Sequence, residues 1–314
     1  MKSKKMNQRP PVIVGLGEAL FDCFSDRAVL GGAPVNFAVH AHSLVREVGG
    51  RGVVATRVGS DELGKRYLEE LEARGVDRRY VQLDREHPTG TVSVQLDAEG
   101  HASYEFASNV AWDHLEFTES WQELAAECDA ISFGTLAQRS ESSREAIARF
   151  LTAAENAIRL FDVNIRQQFY SAEIIDLSLQ AATAVKLNDA ELGEVCSLLE
   201  LADPAAAVAD QARAILSKYH LDWLALTRGA RGTALYADGK CFEGEPAKYA
   251  SEPQADSVGA GDACCAGLIV GRLYDWPHEK TLSLANQMGA FVATRRGATP
   301  ELPAAMVNAL KAMD

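Results

Sequence analysis

The segment Asp256-Ser257-Val258-Gly259-Ala260-Gly261-Asp262 sets three small residues and then an acid directly before the apolar run 263–274. A helix that opens this way leaves several backbone N–H groups unpaired, and the partial positive charge at that end favours an anion. Asp262 therefore admits two readings. As an N-cap it would contribute about 1 kcal/mol to the helix and do no chemistry. As a base it would take the proton of an attacking hydroxyl while the helix end holds a transferring phosphoryl group. A carboxylate at a free helix N-terminus is expected to ionise easily, which makes it a weak base in the ground state. A loose transition state tolerates this, because the proton leaves late. Other nucleotide chemistries leave no comparable mark. The pattern G-x-x-x-x-G-K-[ST] is absent, and Gly15-Leu16-Gly17 runs on to Leu20 where a dinucleotide fingerprint needs Gly. Neither a P-loop ATPase nor a nicotinamide-binding oxidoreductase is supported.

The elements that must position these residues follow from hydrophobic pattern. Strand-length apolar runs at 12–16, 53–58, 130–133, 159–163, 184–187 and 223–227 alternate with stretches of helical period at 36–45, 61–74, 142–157 and 204–219. That alternation predicts an α/β chain with a mostly parallel sheet and helices on both faces. One stretch breaks the rhythm. Residues 89–96 and 102–106, with a turn at 97–100 between them, read as a β-hairpin. A hairpin has no place in a parallel sheet, so it is expected to form a small separate layer, joined by strands from the short segment 21–30. The expectation is one domain over 1–314, carrying a β lid built from about 21–35 and 88–111.

Composition excludes whole classes of function. Lys and Arg total 31 against 44 Asp and Glu, a formal charge of −13, with 47% hydrophobic and 24% charged residues. Such a chain is neither disordered nor collagen-like. An acidic surface argues against nucleic acid as a partner, though not against a small anion in one pocket. Cys23, Cys128, Cys196, Cys241, Cys264 and Cys265 form no C-x-x-C pair, and reduced thiols are expected. No apolar run approaches the ~18 residues of a membrane span, and residues 1–11, with Lys2, Lys4 and Lys5, lack the apolar core of a signal peptide. A cytoplasmic protein without a membrane partner is the expectation.

Two segments together carry a resemblance. Gly31-Gly32-Ala33-Pro34-Val35-Asn36-Phe37-Ala38 and Asp256–Ala263 resemble the two signature motifs of the ribokinase-like, or phosphofructokinase B-type, carbohydrate kinases. Asp162-Val163-Asn164-Ile165-Arg166, Lys186-Leu187-Asn188-Asp189-Ala190-Glu191 and Thr227-Arg228-Gly229-Ala230-Arg231-Gly232 recur between them in the family's order, so the likeness spans nearly the whole chain. It implies a three-layer sandwich with a small β-sheet lid. It also implies an ATP-dependent kinase acting on a primary hydroxyl of a monosaccharide.

Site roles follow from the same likeness. Asp262 resembles the family's catalytic base, with the amides of Gly259, Ala260 and Gly261 as its anion hole. Asp22, Gly31, Gly32 and Asn36 resemble substrate contacts, and Arg166 the Arg that fructokinase-like members aim at the reaction centre. Asn188, Thr227, Gly229 and Gly232 match nucleotide-binding positions, while Glu191 matches a residue that meets Mg²⁺ through water. Taken without the likeness, Asn188 and Glu191 read equally well as an Asn cap with a first-turn Glu. Asp256 and the backbone of Val258, with 293–298, match a loop that binds a monovalent cation such as K⁺. The pattern departs from the family at Ser257-Val258, where two threonines are common, and at Cys264 and Cys265, read as core thiols. A homodimer formed through the lid is implied as well.

Among substrates, Gly17-Glu18-Ala19-Leu20-Phe21-Asp22 and Asp162–Arg166 look most like fructokinases. The alternatives are 2-keto-3-deoxygluconate kinase and ribokinase, then a nucleoside kinase. A catalytically silent sugar sensor on the same fold is the reading from a different class.

Overall fold

The computed structural model describes residues 9–24, 26–96, 102–203 and 205–311. Its strands are β1 (Val12–Leu16), β2 (Leu20–Cys23), β3 (Ala28–Gly31), β4 (Arg51–Gly59), β5 (Val81–Asp84), β6 (Gly90–Leu96), β7 (Ala102–Phe106), β8 (Ala130–Phe133), β9 (Ile158–Asp162), β10 (Ala184–Asn188), β11 (Trp223–Thr227), β12 (Thr233–Ala237) and β13 (Lys240–Glu243). The helices are α1 (Ala33–Val45), α2 (Glu62–Ala73), α3 (Glu119–Glu127), α4 (Glu141–Ala153), α5 (Ala172–Ala181), α6 (Asp189–Leu198), α7 (Val208–Tyr219), α8 (Ala260–Leu273), α9 (His278–Val292) and α10 (Ala304–Val307).

Nine strands form one sheet in the order β13-β12-β11-β10-β9-β8-β1-β4-β5. Neighbours from β5 across to β11 are parallel, and β12 and β13 turn back antiparallel at the edge. Every residue of β1 is buried, as a strand covered on both faces requires. Alternation then divides its side chains. Val12, Val14 and Leu16 join Trp121, Ile147, Phe150, Leu179 and Ile215 of α3 to α7 on one side. Ile13 joins Phe37, Leu268, Leu282 and Met288 of α1, α8 and α9 on the other. The result is an α/β three-layer sandwich.

A second sheet, β3-β2-β6-β7, stands apart. Its strands β2 and β6 run parallel, with Asp22 opposite Val92, and β7 closes the predicted hairpin antiparallel to β6. Phe21 turns to the opposite face from Asp22 and meets Tyr67 of α2 edge-on at 6.3 Å. That contact ties the small sheet to the body through a third apolar cluster, which includes Leu30, Val35, Val54 and Leu71.

The structure moves several expected boundaries. The second parallel strand begins at Arg51, α4 ends at Ala153, and α7 starts at Val208, while residue 204 and the turn 97–100 lie outside the described residues, as do Lys2, Lys4 and Lys5. The argument that a hairpin cannot join a parallel sheet holds for β6–β7 but fails at β12–β13. There a hairpin extends the edge, where one strand has a free side to pair with. Among the described residues no helix is long and apolar enough to cross a membrane.

β1 has strand β4 on one side and β8 on the other, so the chain order reverses beside it. Open α/β sheets bind ligands outside the carboxyl ends of their strands at such a point. Gly15 lets α1 begin there. A Cβ on Gly15 would lie 1.9 Å from the Pro34 carbonyl oxygen in the first turn of α1. The residue that looked like part of a defective dinucleotide fingerprint is thus needed for helix–strand packing. Gly15→Ala should lower stability by at least about 1–3 kcal/mol, the usual cost of overpacking a core. Urea unfolding followed by circular dichroism would measure it.

Candidate active site

Helix α8 begins at Ala260, three residues earlier than its apolar run suggests, and Gly259 is its N-cap. Gly259 has φ 77°, and a Cβ there would lie 2.5 Å from the Ala298 carbonyl oxygen, so both its conformation and its space demand glycine. That carbonyl is fixed from below by His40 of α1, whose Nε2 lies 2.9 Å away. Burial lowers the His40 pKa to about 4, so the ring is neutral and its Nε2–H donates. Asp262 is therefore the third residue of the helix, not its cap. Its carboxyl Oδ2 accepts from Asn36 Nδ2 at 2.9 Å instead of closing on its own backbone.

Asp262 opens onto a cavity of about 540 Å³. The wall from the small sheet supplies Leu20, Asp22, Val92, Tyr104 and Phe106, and the floor supplies Glu18, Gly32, Asn36, Lys186, Gly259 and Gly261. Val258 and the loop after β9, with Asn164, Ile165, Arg166 and Gln167, complete the rim. Gln167 donates to the Tyr104 carbonyl at 2.6 Å and so fastens that loop to the small sheet. Gly259 and Gly261 face the cavity, while the Ala260 amide points at the Ser257 carbonyl at 3.3 Å. First-turn amides have no carbonyl four residues behind them, which leaves this helix end able to receive an anion.

The electrostatics differ from the expectation of easy ionisation. Burial, and next the charge of Asp162, raise the Asp262 pKa to about 6, against the opposing pull of Asn36, Lys186 and Arg166. Asp22 is raised to about 6 by burial, with Arg166 opposing. Glu18 reaches about 7, again chiefly through burial, with the charge of Asp262 adding to it. The helix end alone does not set the acidity of Asp262, because its carboxyl is buried in the protein interior rather than free in water. A base whose pKa lies near the working pH is a better proton acceptor than a strongly acidic one.

The positive side of the balance is Lys186. It is 6% exposed and pairs with Asp162 Oδ1 at 2.9 Å. Burial, which would discharge it, is outweighed by Asp162, so the ammonium stays charged. A Cβ on Gly261 would come within 3.2 Å of its Nζ, which places the cation against the first turn of α8. A cation beside the positive end of a helix is unfavourable unless anions share the space. Cys265 donates its thiol to Asp162 Oδ2 at 3.5 Å, and Cys264 lies 3.6 Å from Thr233 Oγ1, so both thiols pack under the helix as expected. All six cysteines are free.

The remaining candidates sit at the ends of β10 and β11. Asn188 accepts from the Glu191 amide at 2.9 Å, and Glu191 returns the bond to the Asn188 amide at 2.8 Å, a capping box at the start of α6. The other Glu191 oxygen accepts from Ile165 at 3.0 Å, so this residue also holds the loop that carries Arg166. Thr227, opposite Asn188, bonds to the Leu187 carbonyl at 3.2 Å. Gly229 and Gly232 both have positive φ in the turn that follows. Gly31 leaves room for Asp22, since a Cβ there would meet Asp22 Oδ2 at 2.8 Å. Asp256 accepts from the Val258 and Gly297 amides, each at 3.1 Å, and so joins the two loops around the start of α8.

Residues 14–305 match the profile of the pfkB family carbohydrate kinases. The chain belongs to this family. A fructokinase of Salmonella typhimurium is 30% identical over 308 residues, covering 92% of this chain and 95% of that one. Fructokinase-1 of Oryza sativa subsp. japonica is 29% identical over 337 residues, covering 98% and 99%. Among solved structures, a fructokinase with bound ATP from Xylella fastidiosa superposes with a TM-score of 0.78 at 22% identity, covering 96% and 98%. The 2-dehydro-3-deoxygluconokinase of Thermotoga maritima gives 0.82 at 16% identity, covering 96% and 99%, so the fold alone does not separate the substrates.

Of the residues singled out from sequence, Asp22, Gly32, Asn36, Arg166, Val258, Gly259, Gly261 and Asp262 surround one cavity in this carbohydrate kinase. Gly31, Asn188, Glu191, Thr227, Gly229, Gly232, Asp256 and Ala260 lie outside its lining. Sequence reasoning missed Glu18, Asp162 and Lys186 as site residues. A usable signal existed for Lys186, a lone charge inside the apolar run Ala184–Asn188. Asp262→Asn keeps the bond to Asn36 possible but removes the base, and turnover should fall ~10²–10⁴-fold. Wild-type kcat/KM should rise with pH up to the ionisations of Asp262 and Asp22 near 6, and the variant should show a shallower limb, that of Asp22 alone. Steady-state assays across that range check both.

Proposed function

We propose that the protein transfers the γ-phosphoryl group of ATP to a primary hydroxyl of a monosaccharide, with fructose as the preferred acceptor. The observation that carries this reading is the buried Asp262 carboxylate at the first turn of α8, facing a cavity shared with the Asp22 and Asn36 side chains. The fructokinases at 29 to 30% identity, matched over almost their full length, support the choice of sugar.

In this reading the sugar enters between the small sheet and the ends of β1 and β9. Asp22 and Asn36 accept hydrogen bonds from its hydroxyls, and a ligand lacking those hydroxyls would leave buried acceptors unpaired. Asp262 orients the primary hydroxyl and accepts its proton as the oxygen forms a bond to the γ-phosphorus. The bond from that phosphorus to the β–γ bridging oxygen breaks, ADP departs, and Asp262 later returns the proton to solvent. Gly259 and Gly261 amides, with Lys186 behind them, receive the charge on the transferring oxygens. Arg166 closes over the same volume from the rim. Leu20, Val92 and Phe106 keep water from competing with the sugar. Asn188, Thr227, Gly229 and Gly232 border the nucleotide side.

The donors present suit Mg²⁺ carried on the nucleotide. Among the described residues no three carboxylates, imidazoles or thiols converge on a point, and both Glu191 oxygens already accept amides, which leaves them contact through water. When bound, Mg²⁺ neutralises phosphate charge. A K⁺ ion would sit by Asp256 and Val258 and take mostly backbone carbonyls, since the Asp256 oxygens already hold two amides.

A panel of fructose, ribose, 2-keto-3-deoxygluconate and adenosine with ATP, read by ADP release, should rank fructose first and lose activity on chelation of Mg²⁺. Preference for any other acceptor overturns the sugar assignment, and tight sugar binding without ADP release points to a silent sensor. Pairing of two copies through the small sheet belongs to the same proposal. Solution scattering should give a dimer mass, and a monomer mass would refute it.

A further inference from the structure

Two buried acceptors in the cavity wall have nothing to bond. Glu18 lies in the turn between β1 and β2, is 3% exposed, and its Oε2 has no hydrogen-bond partner. Asn36 is equally buried, and its Oδ1 is unpartnered as well. The Asn36 amide cannot turn to relieve this. Its Nδ2 donates to Asp262, and because an ionised carboxylate only accepts, the nitrogen must face Asp262 and the oxygen must face away. The backbone of Glu18 is held against the cap of α1, where its carbonyl oxygen would lie 2.8 Å from a Cβ on Gly32. Buried acceptors without donors are costly and rare, and two on one cavity call for a ligand that brings hydrogen-bond donors.

We infer that Glu18 is a specificity-determining residue that, with Asn36 Oδ1, accepts hydrogen bonds from two hydroxyls of the acceptor sugar other than the one that reacts. This rests on the sugar-kinase reading above. Selection would follow from loss: an acceptor short of either hydroxyl leaves a buried oxygen unpaired.

The arrangement has a signature in protons. The charged and titratable groups acting on Glu18 are Asp262 of α8, Arg166 of the loop after β9, and Tyr67 of α2. Burial, and after it the charge of Asp262, hold the Glu18 pKa at about 7 against the opposing pull of the Glu18 and Ala33 backbone amides and of Arg166, while its Oε2 keeps no partner. Hydroxyl donors favour the carboxylate over the acid, so sugar binding near neutral pH should release the Glu18 proton to the buffer. Tyr67 carries a buried hydroxyl that is also unpartnered. If Tyr67 instead satisfied Glu18, sugar binding would leave the proton where it is.

Calorimetric titration of fructose at pH 7 in two buffers of different ionisation enthalpy tests this on wild type and Glu18→Gln. Wild type should release protons on binding, and Glu18→Gln should release markedly fewer. Its KM for fructose should rise roughly 10- to 100-fold while kcat stays within about threefold, the pattern of lost binding rather than lost chemistry. Glu18→Asp keeps the charge one methylene further back, and it should retain proton release and recover part of the affinity. It also carries the test if the Gln variant fails to fold. Unchanged proton release and KM in Glu18→Gln would overturn the proposal, as would a fall in kcat alone. Should the panel select another sugar, the fructose assignment fails and Glu18 is judged on that sugar by the same measurements. Should no sugar bind, both readings fall.

Discussion

The site depends on one unfavourable act, the burial of the Asp262 carboxyl at the start of α8. Water would stabilise its charge far better than the protein interior does, and the rise of its pKa to about 6 records the difference. What keeps it ionisable at all is a small set of donors and cations: Asn36 from α1, the helix end itself, Lys186 and Arg166. Each arrives on a different element, so the layers of the fold must be in register for the site to exist. Gly15 against Pro34, and Gly259 against Ala298, are the close approaches that allow this.

The same balance shapes stability. Glu18, Asp22 and Asp262 all hold protons more tightly in the folded protein than in the unfolded chain. Their contribution to stability is therefore complete below their unfolded pKa values near 4 and is lost as pH rises through 6 to 7. At neutral pH the site is a local weakness, tolerated because the surrounding cores are fully buried. Lys186 and Asp162 partly offset it. Neither could be removed alone without leaving a buried charge unpaired. The formal charge of −13 thus says little about phosphate handling, because amides, one buried lysine and a helix end act where surface counts do not reach.

Much of this was legible in the residues themselves. β1, β8 and β11 have the ends their apolar runs predict, since a strand buried on both faces is apolar from end to end. The Gly-rich segment before α8 was legible because an anion site needs small residues there. The antiparallel edge β12–β13 was not, because its outer strand β13 is largely exposed and carries no apolar run. The true start of α8 was hidden by glycine and alanine, which carry no hydrophobic period. Asn188 and Glu191 show why local pattern has a ceiling: the capping box and a ligand-facing pair would be written with the same letters. The lone charge of Lys186 was visible inside its apolar strand, but its pairing with Asp162 and the place of Glu18 depend on contacts across the fold, which no window of sequence contains.

The central claim is that Asp262 is a buried carboxyl poised to take a proton near neutrality. Carbon-13 NMR of side-chain carboxyls, titrated in wild type and in Asp262→Asn, tests it directly. Two aspartate resonances, those of Asp22 and Asp262, should titrate near pH 6, and one of them should be missing from the variant. If the resonance lost in the variant instead titrates near pH 4, as an ordinary exposed aspartate does, the account of the site is contradicted.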